Sequence, residues 1–524
     1  MHENRESPWY ARCRDGPVGE GRAEARHVRP REVRHRRSTD EAVEQSRPSG
    51  GGDGVRKADD QREFGTDDRE PGTGLGKPVE RVPTRWVGPD TPTRKRVPAR
   101  RDRGQRFTSL MHHLTAELLL ESYRGLKKDA AAGVDEMTWR EYEDGLTARV
   151  LDLHKRVQSG RYRAKPSKRI YLPKPDGRLR PIGIASLEDK IVQAAVVRVL
   201  EQIYEEDFLG FSYGYRPRRS QHHALDAVWV GINSRKINWI LDADLRNFFD
   251  SIDHTWMLRF LEHRIADRRI LRLIRKWLRA GISEDGQWSR LEKGTAQGSV
   301  ISPLLANVYL HYSLDQWVQQ WRKQARGDVI IVRYADDLVM GFQYRPEAER
   351  FRQEMKARLA KFGLELNEAK TRLIEFGRFA DADRRGRGEG KPETFNFLGM
   401  THACSKTRRD GRFLIRRQPV GERIRRRLGA IKVELRRRMH EPIAEQGRWL
   451  RAVVQGLYNY YAVPGTTHYL NGVRCQVNKL WLRTLQRRSH KGRGFPWARM
   501  QPLLDVWIPK VRILHPYPPL RLRV

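Results

Sequence analysis

Two short stretches of the sequence bring carboxylates to the ends of apolar runs. The first is Trp239-Ile-Leu-Asp-Ala-Asp244, and the second is Tyr334-Ala-Asp-Asp337, which lies between two apolar runs. Ionised groups are costly at buried strand ends, and carboxylates that meet there repel one another unless cations hold them. Mg²⁺ takes oxygen ligands from one or two carboxylates plus phosphates, and two such ions can clamp an in-line phosphoryl displacement. The pattern therefore indicates metal-dependent phosphoryl transfer, although an Asp-Asp pair alone is more often a solvated turn.

The elements that position these carboxylates can be predicted from hydrophobic periodicity. We expect a buried strand over 239–244 and a hairpin formed by 329–334 and 338–342 around Asp336-Asp337. Further strands are predicted over 169–174 and 371–376, with a turn at 175–177. One predicted helix begins at residue 110 and another begins after Thr138. Three more helices are predicted over 187–204, 302–317 and 347–362. The alternation of strands and helices up to about residue 400 predicts an α+β fold.

The two ends of the chain differ from this central part. Residues 1–105 contain one Leu and no Ile, which predicts a disordered segment rich in Arg, Gly and Pro. This segment is either a basic RNA-binding tail or an extension from an early start codon. Residues 401–524 contain 28 Lys and Arg against 6 Asp and Glu, with apolar residues at helical spacing. We therefore expect domains at 1–105, 106–400 and 401–524, the last of them basic and helical.

The overall charge points to a polyanionic partner. The 524 residues include 103 Lys and Arg against 65 Asp and Glu, a net charge of +38. This balance favours nucleic acid. No apolar run approaches the length of a membrane span, so an acidic membrane surface is the weaker interpretation. The three cysteines are far apart, which argues against a zinc site or a disulfide framework and fits a reducing, intracellular setting.

The carboxylate motifs carry a family resemblance. Tyr334-Ala-Asp-Asp337 resembles the catalytic signature of reverse transcriptases, and Asp242 to Asp250 resembles their first catalytic motif as group II intron enzymes have it. The resemblance implies that Asp244, Asp336 and Asp337 bind two Mg²⁺ ions, with Mn²⁺ as an alternative. It also implies a metal contact by the backbone carbonyl of Leu245, and supporting roles for Asp242 and Asp250.

Further motifs imply the remaining parts of a polymerase centre. Lys370 lies in a segment that resembles the next palm motif, and is the implied proton donor to pyrophosphate. Phe249 is in the position of the steric gate that excludes ribonucleotides. The other implied nucleotide-binding residues are Lys174 and Arg180 on the triphosphate, and Gln297 and Gly298 at the incoming nucleotide or template. Ala296 replaces the proline usual in this family, a change expected to alter a turn.

Three stretches resemble group II intron enzymes in particular. They are the amino-terminal extension at Gly133–Trp139, a predicted polar loop at Gly377–Pro392 that matches an insertion, and the thumb or maturase segment Gly456–Tyr461. The resemblance implies right-hand fingers and palm followed by an α-helical thumb or maturase domain. The residues expected to bind RNA are Arg416, Arg417, Arg425, Arg487 and Arg488. Tyr458 and Trp481 could stack on bases, but core packing is favoured for most of these aromatic residues.

The implied function is RNA-directed synthesis of DNA on intron RNA, together with maturase assistance to splicing and mobility. Expected partners are intron RNA, target and primer DNA and deoxynucleoside triphosphates, with no membrane, and with a homodimer among the expected assemblies. The expected location is the cytoplasm of a bacterium, in association with the nucleoid. Two alternatives remain: a splicing cofactor whose polymerase has decayed, and a reverse transcriptase of a defence or diversity-generating system.

Overall fold

The computed structural model describes residues 104–173, 177–407 and 409–522, all of which belong to one compact unit of the chain. It contains helices and small sheets, as the predicted α+β fold class requires. The strands are β1 Ser167–Pro173, β2 Leu179–Ile184, β3 Trp239–Asp244, β4 Ile282–Glu284, β5 Gln287–Ser289, β6 Val329–Tyr334, β7 Asp337–Phe342, β8 Arg372–Glu375, β9 Phe395–Phe397, β10 Met400–Lys406 and β11 Phe413–Pro419.

The helices alternate with these strands up to β8 and dominate thereafter. They are α1 Ala116–Arg124, α2 Trp139–Glu143, α3 Leu146–Gln158, α4 Leu187–Asp207, α5 Gln221–Ser234, α6 Phe248–Ser251, α7 His254–Glu262, α8 Arg268–Arg279, α9 Ser302–Leu310, α10 Gln316–Gln324, α11 Arg345–Ala360, α12 Ala380–Gly386, α13 Gly421–Arg437, α14 Ile443–Tyr461, α15 Thr467–Arg487, α16 Trp497–Trp507 and α17 Pro518–Leu522. Short 3₁₀ turns lie at Met111–His113 and His490–Gly494, and a π-helical turn at His311–Asp315 joins α9 to α10.

The central sheet has the strand order β6-β7-β3-β8, and every neighbouring pair in it is antiparallel. Its side chains alternate between two hydrophobic cores, as the twofold repeat of a strand requires. Leu241, Leu338 and Met340 face the first core, while Ile240, Val339 and Ile374 face the second. The sheet therefore lies between two apolar layers.

The first core is built by the helices that precede β9, and the second reaches the carboxy-terminal helices. The second core joins α5 and the sheet to α13, α14, α15 and α16 through residues such as Leu428, Leu450 and Trp481. Apolar packing thus continues across residue 400, where the sequence predicts a domain boundary.

Two smaller sheets flank the central one. One has the order β2-β1-β4-β5, with an antiparallel β1–β2 hairpin and a parallel β1–β4 pair. The other is the antiparallel sheet β11-β10-β9. The prediction of a helical segment from residue 401 is therefore wrong for 401–419, where cross-strand pairing overrides the basic composition.

Most of the predicted elements are confirmed, with changes at their ends. Thr138 caps α2 in a reciprocal capping box with Glu141, as predicted. The helix predicted from residue 110 begins only at Ala116, because the side chain of Thr115 caps it. The segment 377–392 is not wholly a loop, since it contains α12.

Some expectations concern residues outside the described part of the chain. These are the disorder predicted for 1–103, the turn residues 175–176, and the triphosphate contact of Lys174. Among the helices of residues 104–173, 177–407 and 409–522, none is both long enough and apolar enough to cross a membrane.

Candidate active site

The register of β3 against β7 places Asp244 directly opposite Asp337. Side chains at directly opposed positions of an antiparallel pair lie on the same face of the sheet, with Cβ atoms roughly 5 Å apart. Asp336 belongs to the two-residue turn that joins β6 to β7, where Tyr334 pairs with Asp337. The structure thus brings the three predicted carboxylates to one end of the central sheet.

Asp244 is held by two neighbours from the segment before β8. The Asn367 side-chain amide donates a hydrogen bond to Asp244 Oδ2 over 3.0 Å, and Lys370 Nζ lies 3.0 Å from the same oxygen. The backbone N–H of Asn367 also donates to the Asp244 carbonyl over 2.8 Å. Leu245, the next residue, is buried and pairs with Leu366. Lys370 therefore lies beside Asp244 at this end of the sheet.

Two aspartates at this end of the sheet have raised pKa values. The Asp337 side chain reaches solvent on one side, yet surrounding protein atoms raise its pKa to about 7, with further contributions from the charges of Asp336 and Asp244. Burial also raises the pKa of Asp242 to about 6, partly offset by Arg372. Carboxyl groups with raised pKa values close together are a frequent sign of a functional site.

The donor set fits a hard divalent cation. Within the described residues, no group of three or more His, Cys, Asp or Glu side chains is already arranged around one point as a metal site. Mg²⁺ does not require such a cage, because it is commonly held by one or two carboxylates plus substrate phosphates and water. Asp244, Asp336 and Asp337 are the residues that would hold it.

The turn that carries Asp336 is fixed by a buried arginine. Arg333, which has no exposed surface, forms a two-pronged ion pair with Asp315, with atoms 2.8 Å and 2.5 Å apart. Its Nη1 also donates to the Ala335 carbonyl over 3.1 Å and to Asn307 Oδ1 over 3.0 Å. The guanidinium therefore supports the turn directly and anchors it to α9 and the π-helical turn.

The same turn is tightly packed from the other side. Ala335 has φ of 57°, a left-handed conformation that is uncommon for residues other than glycine. A Cβ atom at Gly214 would lie 2.2 Å from the Ala335 backbone nitrogen, so only glycine fits there. The Asn307 amide donates to the Gly214 carbonyl over 2.7 Å and closes the network.

The predicted nucleotide-binding residues come together from distant parts of the chain. Arg180 on β2 donates to Gln297 Oε1 over 3.0 Å, and the Gly183 N–H donates to the Gln297 carbonyl over 2.8 Å. Gly298 has φ of 115°, and a Cβ there would lie 2.8 Å from the Gly183 carbonyl oxygen. The glycine is thus required by close packing against β2.

Phe249 lies beside this group. Its side chain is buried on α6, and its carbonyl accepts a hydrogen bond from the Thr295 N–H over 2.9 Å. The turn containing Gln297 and Gly298 is therefore tied to the helix that follows β3. Ala296 takes part in that turn, where its carbonyl accepts from the Ser299 N–H over 3.0 Å.

The residues predicted to bind RNA do not form a uniform set. Arg416 on β11, Arg425 on α13 and Arg487 on α15 are exposed, and Arg488 is partly exposed. Arg417 requires a correction: it is buried, with Nη1 2.5 Å from Asp226 Oδ1. Its guanidinium serves an internal ion pair, because strand alternation turns Arg417 inward where Arg416 faces out.

Several residues of the site were not anticipated from the sequence. Arg333, Asp315 and Asn307 form the support of the turn, and Arg423 at the start of α13 is close enough for its charge to lower the pKa of Asp337. Charged residues inside apolar runs, as in Val329–Tyr334, could have signalled a buried ion pair. No local signal identifies Arg423, whose position depends on packing between distant segments. Tyr458 and Trp481 are buried, which confirms core packing for both.

Comparison with known proteins places this geometry in context. Residues 172–402 match the reverse transcriptase (RNA-dependent DNA polymerase) family. The chain is 33% identical over 272 residues to Protein YkfC of Escherichia coli, a match that covers 46% of this chain and 71% of that protein. It is 35% identical over 200 residues to the group II intron-encoded protein LtrA of Lactococcus lactis subsp. cremoris, covering 38% of this chain and 31% of LtrA. It is 26% identical over 306 residues to the putative COX1/OXI3 intron 1 protein of Saccharomyces cerevisiae, covering 49% and 36% respectively. The matched region thus spans about a third of these two intron-encoded relatives.

Proposed function

This chain belongs to the reverse transcriptase family and is of the group II intron-encoded type. On that premise we propose that it copies intron RNA into DNA and acts as a maturase on that RNA. The observation that carries the proposal is the opposition of Asp244 and Asp337 beside the Asp336 turn. In this proposal the central sheet is the palm, the β2-β1-β4-β5 sheet belongs to the fingers, and α13 to α16 form the thumb or maturase domain.

In the polymerase reaction, each group has a defined task. Divalent cations, two Mg²⁺ or Mn²⁺ in their place, would activate the primer 3′-hydroxyl and neutralise phosphate charge when bound. Asp244, Asp336 and Asp337 would hold them, with the Leu245 carbonyl as a further oxygen ligand. Lys370 Nζ exchanges its contact with Asp244 for the departing pyrophosphate and donates a proton to it.

A second group of residues is proposed to bind the incoming nucleotide. Arg180 offers a planar fork that suits a phosphate, and its contact with Gln297 aims it towards the turn at Gly298. Lys174 is proposed as a second triphosphate ligand. Phe249 provides the bulk beside the sugar that excludes a 2′-hydroxyl.

The maturase role is supported by the intron-encoded relatives and by the basic carboxy-terminal part. Arg416, Arg425, Arg487 and Arg488 are exposed or partly exposed to solvent and are proposed to bind intron RNA phosphates. Splicing of the host intron RNA at low Mg²⁺, with and without the protein, tests this role. A homodimer and a location at the nucleoid remain predictions, which sedimentation and imaging of a tagged chain would test.

The polymerase proposal is tested by primer extension on an RNA template with deoxynucleotides and Mg²⁺. Wild type should extend the primer, whereas Asp336→Asn should not, because a metal-binding carboxylate has been replaced. Binding of the same RNA should be retained by the variant. Equal extension by both proteins would contradict the assignment of Asp336. Tight RNA binding without extension by wild type would instead identify a splicing cofactor that has lost its polymerase.

A further inference from the structure

Helix α8 (Arg268–Arg279) has two sharply different faces. The buried face carries Ile270, Leu271, Leu273, Ile274 and Leu278, which belong to the first core. The opposite face carries four exposed arginines, Arg268, Arg272, Arg275 and Arg279. Their spacing of four, three and four residues places them along one line of the helix. With a rise of 1.5 Å per residue, the line is about 16 Å long.

A neighbouring loop extends this basic line. Lys276 Nζ donates to the carbonyl of Gly160 over 3.0 Å and to that of Tyr162, which ties α8 to the loop after α3. Exposed Arg163 lies in the same loop. Burial lowers the pKa of Lys276, and the nearby charges of Arg272 and Arg163 lower it further. The loop and the helix therefore form one continuous surface, here termed the α8 basic face: Arg163, Arg268, Arg272, Arg275 and Arg279.

Internal ion pairs do not compensate this charge. None of the five arginines forms an ion pair with a residue in the described part of the chain. Helix α11 shows the contrast, because Arg345, Arg350 and Arg352 each pair with a glutamate, at 2.8 Å, 3.6 Å and 2.6 Å. A row of like charges on one helix is unfavourable by itself and is relieved by an anionic partner.

The chemistry of the face restricts what that partner is. Single-stranded nucleic acid is usually bound with exposed aromatic rings on which bases stack. On α8 itself the aromatic residue is Trp277, which is partly buried and donates its indole N–H to the Tyr162 hydroxyl over 2.9 Å. The exposed ring of Trp288 lies beyond the end of the helix, where its indole N–H donates to the Ala280 carbonyl over 3.0 Å. A straight row of guanidinium groups with one ring at its end offers no series of rings for successive bases, and it suits the phosphate backbone of a duplex, which is recognised by shape and charge.

We propose that the α8 basic face docks a double-stranded segment of RNA through its phosphates. The face is built from α8 and the loop after α3, not from the strands that carry the catalytic carboxylates. Its five arginines are not among the residues assigned above to the polymerase centre or to RNA binding by the carboxy-terminal part. The choice of RNA over DNA rests on the proposed function, since the structured substrate of a maturase is folded RNA.

Binding of a labelled RNA hairpin as a function of salt tests the proposal in the full-length chain. The test variant is Arg268→Gln/Arg272→Gln/Arg275→Gln, and the matched control is Arg345→Gln/Arg350→Gln/Arg352→Gln on α11. Both remove three exposed or partly exposed arginines, so net charge changes equally. The α8 variant should lose affinity about tenfold or more, and its slope of log affinity against log salt should fall by about two to three. The control should bind the hairpin as wild type does.

Other outcomes separate the alternatives. Equal losses in both variants would overturn the proposal, because only net charge would matter. A larger loss on a DNA duplex or on unpaired RNA than on the hairpin would also overturn the choice of duplex RNA. The corresponding Arg→Lys triple variant should keep most of the affinity, because it retains the positive charges that bind phosphates, and a Lys variant as weak as the Gln variant would contradict binding through charge. Primer extension is measured in parallel, so that wild-type binding without extension would reject the polymerase proposal while leaving the docking surface supported.

Discussion

Asp244 and Asp337 face each other on adjacent strands, so the charge of Asp244 disfavours ionisation of Asp337. Lys370 Nζ lies 3.0 Å from Asp244, whereas burial raises the pKa of Asp337 to about 7, with further contributions from the charges of Asp336 and Asp244. The site thus holds more negative charge than the protein itself neutralises. A divalent cation bound there would relieve this excess, so the proposed metal binding should also stabilise the fold.

The raised pKa of Asp337 predicts how the metal-free protein responds to pH. A carboxyl group whose folded pKa lies above its unfolded value, here 3.8, stabilises the fold below the unfolded pKa, and the benefit is lost as pH rises through about 7. Unfolding of wild type in EDTA should therefore become easier by about 1 kcal/mol between pH 4 and 7 relative to Asp337→Asn, after allowance for solvent screening.

Thermal or urea unfolding at several pH values checks this expectation. Asp383→Asn, which changes an exposed carboxylate on α12, serves as the control and should follow wild type. Addition of Mg²⁺ should remove the difference between wild type and Asp337→Asn at pH 7. An identical pH dependence in wild type and Asp337→Asn would show that the carboxylates do not interact as described.

Phe249 makes a second prediction at the scale of one side chain. If Phe249 is the steric gate, as proposed above, replacement by valine would open space beside the nucleotide sugar, and incorporation of ribonucleotides relative to deoxynucleotides should rise about tenfold to a hundredfold. Single-nucleotide extension with each substrate measures the ratio. Phe248→Val, at the adjacent buried ring, should lower stability without changing the ratio. Unchanged selectivity in Phe249→Val would remove Phe249 from the nucleotide site.

Among the elements, the β6–β7 hairpin is the most important for the candidate site, because it carries Asp336 and Asp337. Its two strands and turn were predictable, because apolar runs on either side of Asp336-Asp337 are a local pattern. The helix cap at Thr138 and the strand at 239–244 were also predictable, because each is a local sequence pattern. The Arg333–Asp315 pair was not, because it joins residues 18 positions apart through a π-helical turn that no periodicity predicts.

The strands β9 to β11 were not predicted from the sequence, because pairing between strands cannot be identified from a local pattern. The β9–β11 sheet was expected to be helical, since a basic composition with scattered apolar residues resembles a helix when pairing partners are unknown. Arg416 and Arg417 were treated alike, although strand alternation exposes one and buries the other. Motif resemblance located the carboxylates, Lys370, Arg180 and Gln297, but the contacts among them are tertiary.

The Arg333–Asp315 ion pair that supports the β6–β7 turn should affect stability and primer extension separately. Arg333→Met leaves buried Asp315 without its partner and should lower the free energy of unfolding by about 3–5 kcal/mol. Adding Asp315→Leu removes the unpaired charge and should restore much of that stability. The rate of primer extension should stay low in the double variant, because the Ala335 carbonyl still lacks its donor.

Urea unfolding and single-turnover extension together test this pair of effects. The loss should appear in kcat more than in KM, since nucleotide contacts are intact. If the double variant regained both stability and wild-type extension, Arg333 would have only a structural role. If neither variant lost stability, the buried ion pair would be incorrectly placed.

At the scale of the whole molecule, the two cores meet at the central sheet, and the second core passes beyond residue 400. The catalytic strands therefore share their apolar packing with α13 to α16. Trp481 is the largest fully buried side chain there, and its indole N–H donates to Gln446 Oε1 over 3.0 Å. The carboxy-terminal helices are thus expected to stabilise the polymerase centre as well as to bind RNA.

Trp481→Ala should destabilise the central sheet and the carboxy-terminal helices together. The expected loss is about 3–5 kcal/mol, and unfolding should remain a single transition when followed by circular dichroism and by extension activity. Trp497→Ala, which changes an exposed tryptophan on α16, should cost much less. Two separate transitions, with the polymerase centre unaffected by Trp481→Ala, would contradict the shared core.

The central claim is that the carboxylates at the end of the central sheet perform RNA-templated DNA synthesis. Single-turnover primer extension by Asp244→Asn beside Asp242→Asn tests it most directly, because both aspartates lie on the same face of β3 two residues apart. Asp244→Asn should slow extension by about a thousandfold or more, since it removes a ligand of the ions that stabilise the transition state. Asp242→Asn should stay within about tenfold of wild type, as a supporting residue. Equal rates in the two variants, or extension by Asp244→Asn at the wild-type rate, would contradict this assignment of the active site.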